Sequence, residues 1–267
     1  MGNKISACLV VYNEEKCIER CLDSIKNVVD EIIVVHDGEC KDKTLEICGK
    51  YTNNIFVREH VGVAEPHRPF SYEKASGDWI LQVDADEFLS GELKGKIRSL
   101  TEDESIAAYE FLWPLWDGEK KITGKWPYKV CLARKNKMRF AGIPNFVFDV
   151  DGKKERVNLT LAHQPDYNNF SWSTFKKKWI KWARLQAGAY LTEFGKIEKY
   201  NYHANDWPLK IKLRIKFPLI LMPLEFLITF YRNMSEGAYK EGLIGYKVAM
   251  MISVYRVMVN YYIYKNK

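Results

Sequence analysis

The chain has 267 residues, of which 47% are hydrophobic and 14% aromatic, and a formal net charge of +7 at pH 7. This length accommodates one large α/β domain or a smaller one with an appendage, and the apolar content excludes an intrinsically disordered chain. The charge is uneven, −4 over residues 1–150 and +11 over residues 151–267, which suggests different partners for the two parts.

The cysteines and the first residues bear on the cellular compartment. The six cysteines form no CxxC pair and have no His-rich partner segment, which argues against a zinc site and favours reduced thiols. The chain runs from Met1 straight into a strand-like pattern, so no signal peptide is predicted. Both observations favour a cytoplasmic protein.

The first part of the chain alternates between strand-like and helix-like patterns. Apolar, β-branched runs predict strands over residues 5–11, 31–35, 54–57 and 79–83. Asn13 is a suitable N-cap for a helix with an apolar stripe, and a second helix is predicted over residues 44–51. This alternation predicts a parallel sheet with helices on both faces, which binds ligands outside the carboxyl ends of its strands.

Polar clusters follow three of these strands. They are Tyr12-Asn13-Glu14 after the first strand, Asp37 after the second and Asp84-Ala85-Asp86 after the fourth. Side chains two residues apart in an extended chain point the same way, so Asp84 and Asp86 can address one divalent cation. The structural alternatives are a helix cap at Asn13, a turn at Asp37 and an acidic helix start before Ser90. Convergence of three clusters on one sheet edge favours a ligand site.

These motifs carry a family resemblance over residues 5–100. The first polar cluster, the loop from His36 to Thr44 and the run from Gly77 to Glu87 are similar in order and spacing to glycosyltransferase family 2 with a GT-A fold. Within that family the chain most resembles the lipopolysaccharide-core β-1,4-glucosyltransferase type. The resemblance implies a nucleotide-sugar donor (a UDP- or GDP-sugar), a divalent cation (Mn²⁺ or Mg²⁺) and inversion at the anomeric carbon.

The resemblance also implies roles for single residues. Asp86 would ligate the metal, with Asp84 on the ribose, a metal-bound water or the metal itself, and His163 would be a further metal ligand. Asp37 would contact the nucleotide base or ribose. The implied donor-binding set is Tyr12, Asn13, Glu14, Asp37, Arg68, Asp84 and Ala85. Alternatively, Arg68 is a solvated loop arginine and His163 a structural histidine.

An inverting transfer needs a carboxylate that deprotonates the acceptor hydroxyl as it attacks. The family commonly has a His-Glu pair where this chain has Pro144 and Asn145, and neither of these can act as a base. Several carboxylates remain candidates for the base, and Asp149 is the one put forward. The alternatives that the sequence leaves open are Glu110, Asp117 and Asp151.

Residues 166–267 are basic and aromatic, and predict a helical extension behind a catalytic domain over residues 1–165. Aromatic residues recur at helical spacing opposite lysines over residues 171–194, a pattern typical of core packing or of a helix at lipid headgroup level. Residues 209–216 alternate strictly, which favours a strand, and a final helix is predicted over residues 239–264. The apolar run 217–228 is too short and too interrupted by proline to predict a transmembrane span.

Together these features predict a metal-dependent inverting glycosyltransferase that uses a glycan or lipid-linked acceptor in cell-surface polysaccharide or lipopolysaccharide synthesis. The basic rear with its long aliphatic runs predicts peripheral binding to an anionic membrane on the cytoplasmic face, and no nucleic-acid partner. One alternative is a sugar-nucleotide nucleotidyltransferase, although the Gly-rich phosphate loop of such enzymes does not follow the first strand. The other is a non-catalytic membrane-bound GT-A scaffold, as the missing His-Glu pair would allow.

Overall fold

The computed structural model describes residues 3–140, 143, 148–192 and 209–267. The chain divides into two compact units. The first comprises Met1–Trp113, Tyr128–Gly142 and Phe146–Gln164, and the second comprises Pro114–Pro127, Ile143–Asn145 and Pro165–Lys267.

The first unit is built on a mixed, mainly parallel sheet of eight strands. The strands of this unit are β1 (Ile5–Val11), β2 (Glu31–Asp37), β3 (Ile55–Arg58), β4 (Trp79–Gln82), β5 (Glu87–Leu89), β6 (Ile106–Leu112), β7 (Tyr128–Arg134), β8 (Met138–Arg139), β9 (Asp149–Val150) and β10 (Lys153–His163). The sheet order is β3-β2-β1-β4-β7-β6-β10-β5, and β8 pairs with β9 separately. Strands β1 to β4 are parallel, whereas β7 is antiparallel to both neighbours and β5 is antiparallel to β10.

Helices cover both faces of this sheet, as the alternating pattern predicts. They are α1 (Ile18–Ile25), α2 (Thr44–Cys48), α3 (Arg68–Lys74) and α4 (Gly91–Leu100). Successive residues of β1 pack into two different hydrophobic clusters, one on each face of the sheet, because neighbouring side chains of a strand point to opposite faces. Ala7 and Leu9 belong to the cluster that contains the apolar stripe of α1, and Cys8 belongs to the cluster that contains Tyr72 of α3.

The topology explains where a ligand site can form. Strand β1 lies between β2 and β4 and pairs in parallel with both. The chain therefore adds strands on one side of β1 first and on its other side later. The carboxyl ends of β1, β2 and β4 meet at one edge of the sheet. This is the edge at which doubly wound α/β sheets bind ligands.

One helix start differs from the prediction. Asn13 does not cap a helix, because α1 begins only at Ile18 and its N-cap residue is Cys17. Asn13 instead has a left-handed backbone conformation, with φ of 53°. Asparagine adopts this conformation more readily than other non-glycine residues, and it turns the chain sharply at the end of β1.

The second unit is helical. Its helices are α5 (Trp172–Thr174), α6 (Ile180–Thr192), α7 (Leu209–Lys216), α8 (Pro218–Ser235) and α9 (Leu243–Lys265), with a π-helical turn over Phe175–Trp179 and a 3₁₀ turn over Ala238–Glu241. Phe175 and Trp179 are buried, which supports the core-packing interpretation of the aromatic stripe, whereas Trp172 is 66% exposed. Phe194, the end of that predicted segment, lies outside the described residues.

The strand predicted over residues 209–216 is wrong, because this segment is helix α7. Its alternation hides a helical pattern in which Ile211 and Arg214, three residues apart, are both buried. The Arg214 guanidinium donates to both carboxylate oxygens of Glu225 on α8, at 2.6 and 2.7 Å. A polar residue therefore contributes to the buried face of α7, which an apolar pattern cannot reveal.

Within the described part of the chain, none of the helices combines the length and apolar character that crossing a bilayer requires.

Candidate functional site

The loops that follow β1 and β2 are joined by hydrogen bonds from backbone N–H groups to side-chain oxygens. The Asn13 side-chain oxygen accepts from the Lys41 backbone N–H at 2.9 Å, and the Thr44 hydroxyl accepts from the Glu14 backbone N–H at 2.6 Å. The Tyr12 ring lies over the His60 ring, with centroids 4.8 Å apart, and is 40% exposed. An exposed aromatic face at this edge can stack against a planar ring of a ligand.

Asp37, at the end of β2, is only 3% exposed, and each of its carboxylate oxygens has two contacts. Its Oδ1 accepts from the Val61 backbone N–H at 2.6 Å and from His67 Nε2 at 2.8 Å. Its Oδ2 accepts from the Gly62 backbone N–H at 2.8 Å and lies 3.2 Å from His60 Nδ1. Burial raises the pKa of Asp37, but these hydrogen bonds outweigh it and hold the pKa below its usual value. The ionised carboxylate thus fixes the 60–62 segment.

Asp84, after β4, has a cation on each carboxylate oxygen. Arg68 Nη2 donates to Oδ1 at 2.7 Å, and Lys129 Nζ donates to Oδ2 at 2.9 Å. Burial raises the pKa of Asp84, but Lys129 and Arg68 outweigh it and hold the pKa far below its usual value. Arg68 is therefore not a solvated loop arginine. Its Nη1 is buried and makes no close hydrogen bond among the described residues.

Glu87 contacts both Lys129 and the backbone of Asp84. It is fully buried, and its Oε1 accepts from Lys129 Nζ and from the Trp113 indole N–H, both at 2.5 Å. Its Oε2 accepts from the Asp84 backbone N–H at 2.9 Å. Burial raises the pKa of Glu87 and outweighs the opposing effect of Lys129. Burial lowers the pKa of Lys129, but Asp84 and Glu87 together raise it above its usual value, so the ammonium stays charged.

Asp86 and His163 form the other part of the site. Pairing of β5 with β10 places His163 opposite Glu87, and the Gln164 backbone N–H donates to the Asp86 carbonyl at 2.9 Å. Asp86 Oδ2 lies 3.3 Å from His163 Nε2. The His163 ring stacks on Trp113, with centroids 4.0 Å apart, and its Nδ1 is buried without a hydrogen-bond partner in the described residues.

The backbone from Asp84 to Asp86 is not extended, and the two side chains meet different partners. Strand β4 ends at Gln82, and Asp84 to Glu87 form a turn in which the Glu87 N–H donates to the Asp84 carbonyl at 3.0 Å. The premise of alternating side chains therefore fails at this point. Asp84 meets two cations, and Asp86 meets His163.

Two side chains of the site could hold a divalent cation. In the described residues, no group of three or more His, Cys, Asp or Glu side chains is arranged to hold a metal ion. Asp86 Oδ2 and His163 Nε2, at 3.3 Å, have the separation of two adjacent ligands on one ion. Mg²⁺ commonly takes one or two protein ligands and completes its shell with waters and substrate phosphates. The pair fits such an ion, whereas Asp84 is already neutralised by Arg68 and Lys129.

The candidate bases lie in other contacts. The candidates and their partners are Asp149 with Lys154 at 2.6 Å, Asp151 with Arg139 at 3.0 Å, Glu110 with Arg156 at 3.0 Å, and Asp117 with backbone N–H groups of its own turn. Burial raises the pKa of Asp149, but Lys154 outweighs it and holds the pKa low, so the carboxylate is ionised. Pro144 and Asn145 lie outside the described residues.

Several predicted and unpredicted residues thus lie in one series of contacts within the first unit. The series runs from Asp37 through His67 and its neighbour Arg68 to Asp84, Lys129, Glu87, Trp113, His163 and Asp86. Ala85 is buried in the core, so only its backbone can face a ligand. Sequence reasoning missed Lys129, Glu87 and Trp113. The available signal was a lysine inside the apolar strand pattern of β7.

The fold and the position of these acids define a class. A mixed, mainly parallel sheet with acidic and polar residues after its first, second and fourth strands matches the GT-A fold of glycosyltransferases. The sequence profile of glycosyl transferase family 2 matches residues 6–149, and the chain belongs to this family.

Curated relatives agree with this assignment. An uncharacterised glycosyltransferase of Rickettsia typhi is 33% identical over 148 residues, which are 54% of this chain and 50% of the relative. The prophage-derived glycosyltransferase SunS of Bacillus subtilis is 37% identical over 99 residues, which are 35% of this chain and 22% of SunS. The chain thus spans about half the length of the first of these relatives.

Solved structures resemble the chain more distantly. Glucosyl-3-phosphoglycerate synthase of Mycobacterium tuberculosis, determined with Mn²⁺ and UDP-glucose, has a TM-score of 0.43 and 19% identity, and the match covers 61% of this chain and 72% of that one. TarS 1–349 of S. aureus has a TM-score of 0.46 and 16% identity, with 99% and 92% covered. Likenesses of this degree add nothing to the family assignment.

Proposed function

We propose that the protein is a metal-dependent inverting glycosyltransferase that moves a sugar from a UDP- or GDP-sugar to a glycan or lipid-linked acceptor in cell-surface polysaccharide or lipopolysaccharide synthesis. The observation that carries the proposal is the series of contacts from Asp37 through Arg68 and Asp84 to Asp86 and His163. It supports one site at the ligand-binding edge of the sheet, built from residues that the sequence singles out separately.

The site residues divide the work of donor binding in this proposal. Tyr12 offers a ring face to the nucleotide base, and Nη1 of Arg68 donates to a diphosphate oxygen. Asp86 and His163 would hold the divalent cation, which neutralises charge that develops on the leaving diphosphate. Trp113 orients His163 by stacking on its ring. The buried Glu87 fixes the backbone N–H of Asp84 and so the turn that carries Asp86.

Asp149 remains the proposed base, because it is ionised and half exposed. In the step it would serve, the acceptor oxygen forms a bond to the anomeric carbon as its proton passes to the carboxylate, and the bond to the diphosphate oxygen breaks. Asp149→Asn should then lower kcat at least about 100-fold with little change in donor affinity. An unchanged kcat would move the role to another carboxylate.

Titration calorimetry with a panel of UDP- and GDP-sugars, with and without Mn²⁺, tests the proposal. We expect one donor to bind in Mn²⁺, with affinity at least about 10-fold weaker without metal or in Asp86→Asn. Asp103→Asn is the matched control, since Asp103 is exposed and accepts from the backbone N–H and the hydroxyl of Ser105 in its own turn. Metal-independent binding would contradict the proposal.

Two other outcomes would favour the alternative functions. Formation of a nucleotide sugar from sugar phosphate and nucleoside triphosphate would favour a nucleotidyltransferase. Donor binding without transfer or hydrolysis would favour a scaffold.

We also propose that residues 166–267 bind an anionic membrane peripherally on its cytoplasmic face, near a lipid-linked acceptor. Helix α8 carries an exposed apolar stripe at helical spacing, Ile220, Leu224, Leu227 and Tyr231, each between 47% and 75% exposed. Exposed Lys216 and Arg232 lie near its two ends. Apolar side chains flanked by basic residues suit a surface of anionic lipids.

Sedimentation with vesicles tests the membrane proposal separately. The protein should sediment with vesicles that contain phosphatidylglycerol more than with pure phosphatidylcholine, and high salt should weaken the difference. The pair Ile220→Glu and Leu227→Glu should abolish sedimentation. Leu185→Glu, on α6, is the matched control at an exposed leucine. Equal binding of the two variants would refute the role of α8 and leave the proposed transfer reaction untouched.

A further inference from the structure

Lys129 occupies an unusual place for a lysine. Its side chain is 17% exposed, and its Nζ lies 2.9 Å from Asp84 Oδ2 and 2.5 Å from Glu87 Oε1. The ammonium also lies 5.6 Å from the centre of the Trp113 ring. It is therefore held by two carboxylates and an aromatic ring.

The two aspartates of the site differ in consequence. Each oxygen of Asp84 has its own cation, Arg68 on Oδ1 and Lys129 on Oδ2. The Asp86 carboxylate meets only His163 in the part of the chain that the structure describes. An ion that approaches Asp84 Oδ2 must displace the ammonium and meets its positive charge, whereas an ion at Asp86 meets an available carboxylate.

We propose that Lys129 is an internal cation that keeps Asp84 out of the metal shell, so that the chain holds the ion through Asp86 and His163 alone and the donor's phosphates must complete the binding. Lys129 is thereby a positioning residue that couples metal binding to donor binding. The inference rests on the proposed metal-dependent donor site. It extends that site to a residue on β7, far in sequence from the acidic turn.

The energetic reason is the number of ligands. Two protein ligands bind a hard divalent cation weakly, because most of its shell must come from water or substrate. Release of Asp84 from Lys129 would add a second carboxylate near the ion. The metal would then bind tightly without the donor, and metal binding would no longer depend on donor binding.

Binding of Mn²⁺ alone, followed by electron paramagnetic resonance of the free ion, tests the inference without any turnover. Lys129→Met should raise Mn²⁺ affinity in the absence of nucleotide at least about 10-fold, the lower end of the effect that groups around a metal site usually have. Lys129→Arg keeps the positive charge and should leave Mn²⁺ affinity within about 3-fold of the wild type. Lys129→Met combined with Asp84→Asn should cancel the gain, because the added ligand is then removed.

The outcomes separate the inference from the proposed function. If folded Lys129→Met binds Mn²⁺ no more tightly than the wild type, while the wild type binds Mn²⁺ together with a nucleotide sugar, the inference is wrong and the donor site stands. If no variant binds Mn²⁺ even with donor, both fall. Lys129→Met leaves Glu87 buried without its ammonium partner, so Lys129→Met with Glu87→Gln is the replacement variant if circular dichroism shows that the single variant does not fold.

Discussion

Asp37 gives the sharpest test of how this site is held together. Asp37→Asn keeps one acceptor oxygen and places an NH₂ group against the donors on the other side, so two of the four contacts are lost. One of those two is a backbone N–H of Val61 or Gly62, at 2.6 or 2.8 Å. Hydrogen bonds to a charged group contribute about 1.5–3 kcal/mol each, and the contact to half-exposed His60 contributes little. We expect a loss of about 2–4 kcal/mol in the free energy of unfolding at pH 7.

Urea unfolding of the wild type, Asp37→Asn and Asp117→Asn measures this loss. Asp117 also accepts two backbone N–H groups, but in an exposed turn, so its substitution should cost less than about 1 kcal/mol. The pKa of folded Asp37 lies below its unfolded value of 3.8, so its contribution is complete above about pH 5 and is lost as pH falls through the folded pKa. The wild type should therefore lose more stability than Asp37→Asn on acidification below pH 4. Equal losses for the two variants at pH 7 would refute the reasoning.

Three further results are expected. Arg214→Met leaves the Glu225 carboxylate buried without the guanidinium and should cost about 3–5 kcal/mol in thermal unfolding, whereas Arg214→Met with Glu225→Leu should recover most of it. Arg68→Lys removes Nη1 and should weaken donor binding about 10-fold in calorimetry, with an unchanged affinity counting against the phosphate contact. Burial raises the pKa of the Cys8 thiol to about 12 and of the Cys48 thiol to about 11, so native protein should resist alkylation at both at pH 8, as peptide mass spectrometry can check.

The strands that build the site were predictable because burial on both faces requires continuous apolar runs. The strand Ile5–Val11 matches its prediction. The acids after β1, β2 and β4 follow from the topology of a parallel sheet, which fixes where strand ends meet. These parts of the site depend on local pattern and on one general rule of architecture.

The contacts between side chains were not predictable in the same way. Lys129 meets Asp84 across 45 residues of sequence, and only the position of β7 beside β4 brings them together. Arg68 was ambiguous for a related reason, since a loop arginine and a buried partner of Asp84 look alike in one sequence. Burial of a charge depends on partners from distant elements, and an apolar pattern does not record those partners.

The charges of the assembled site lead to one last consequence. The two permanent cations Arg68 and Lys129 already pair with Asp84 and Glu87, and Asp86 adds a further carboxyl group beside His163, so the site carries no surplus of positive charge. A nucleoside diphosphate adds further negative charge, which these side chains cannot neutralise, and a divalent cation at Asp86 and His163 would restore the balance. Donor and metal should therefore bind cooperatively. Because linkage is reciprocal, the factor by which Mn²⁺ raises donor affinity must equal the factor by which donor raises Mn²⁺ affinity. Equal donor affinities with and without Mn²⁺ would show that the ion does not neutralise the bound diphosphate.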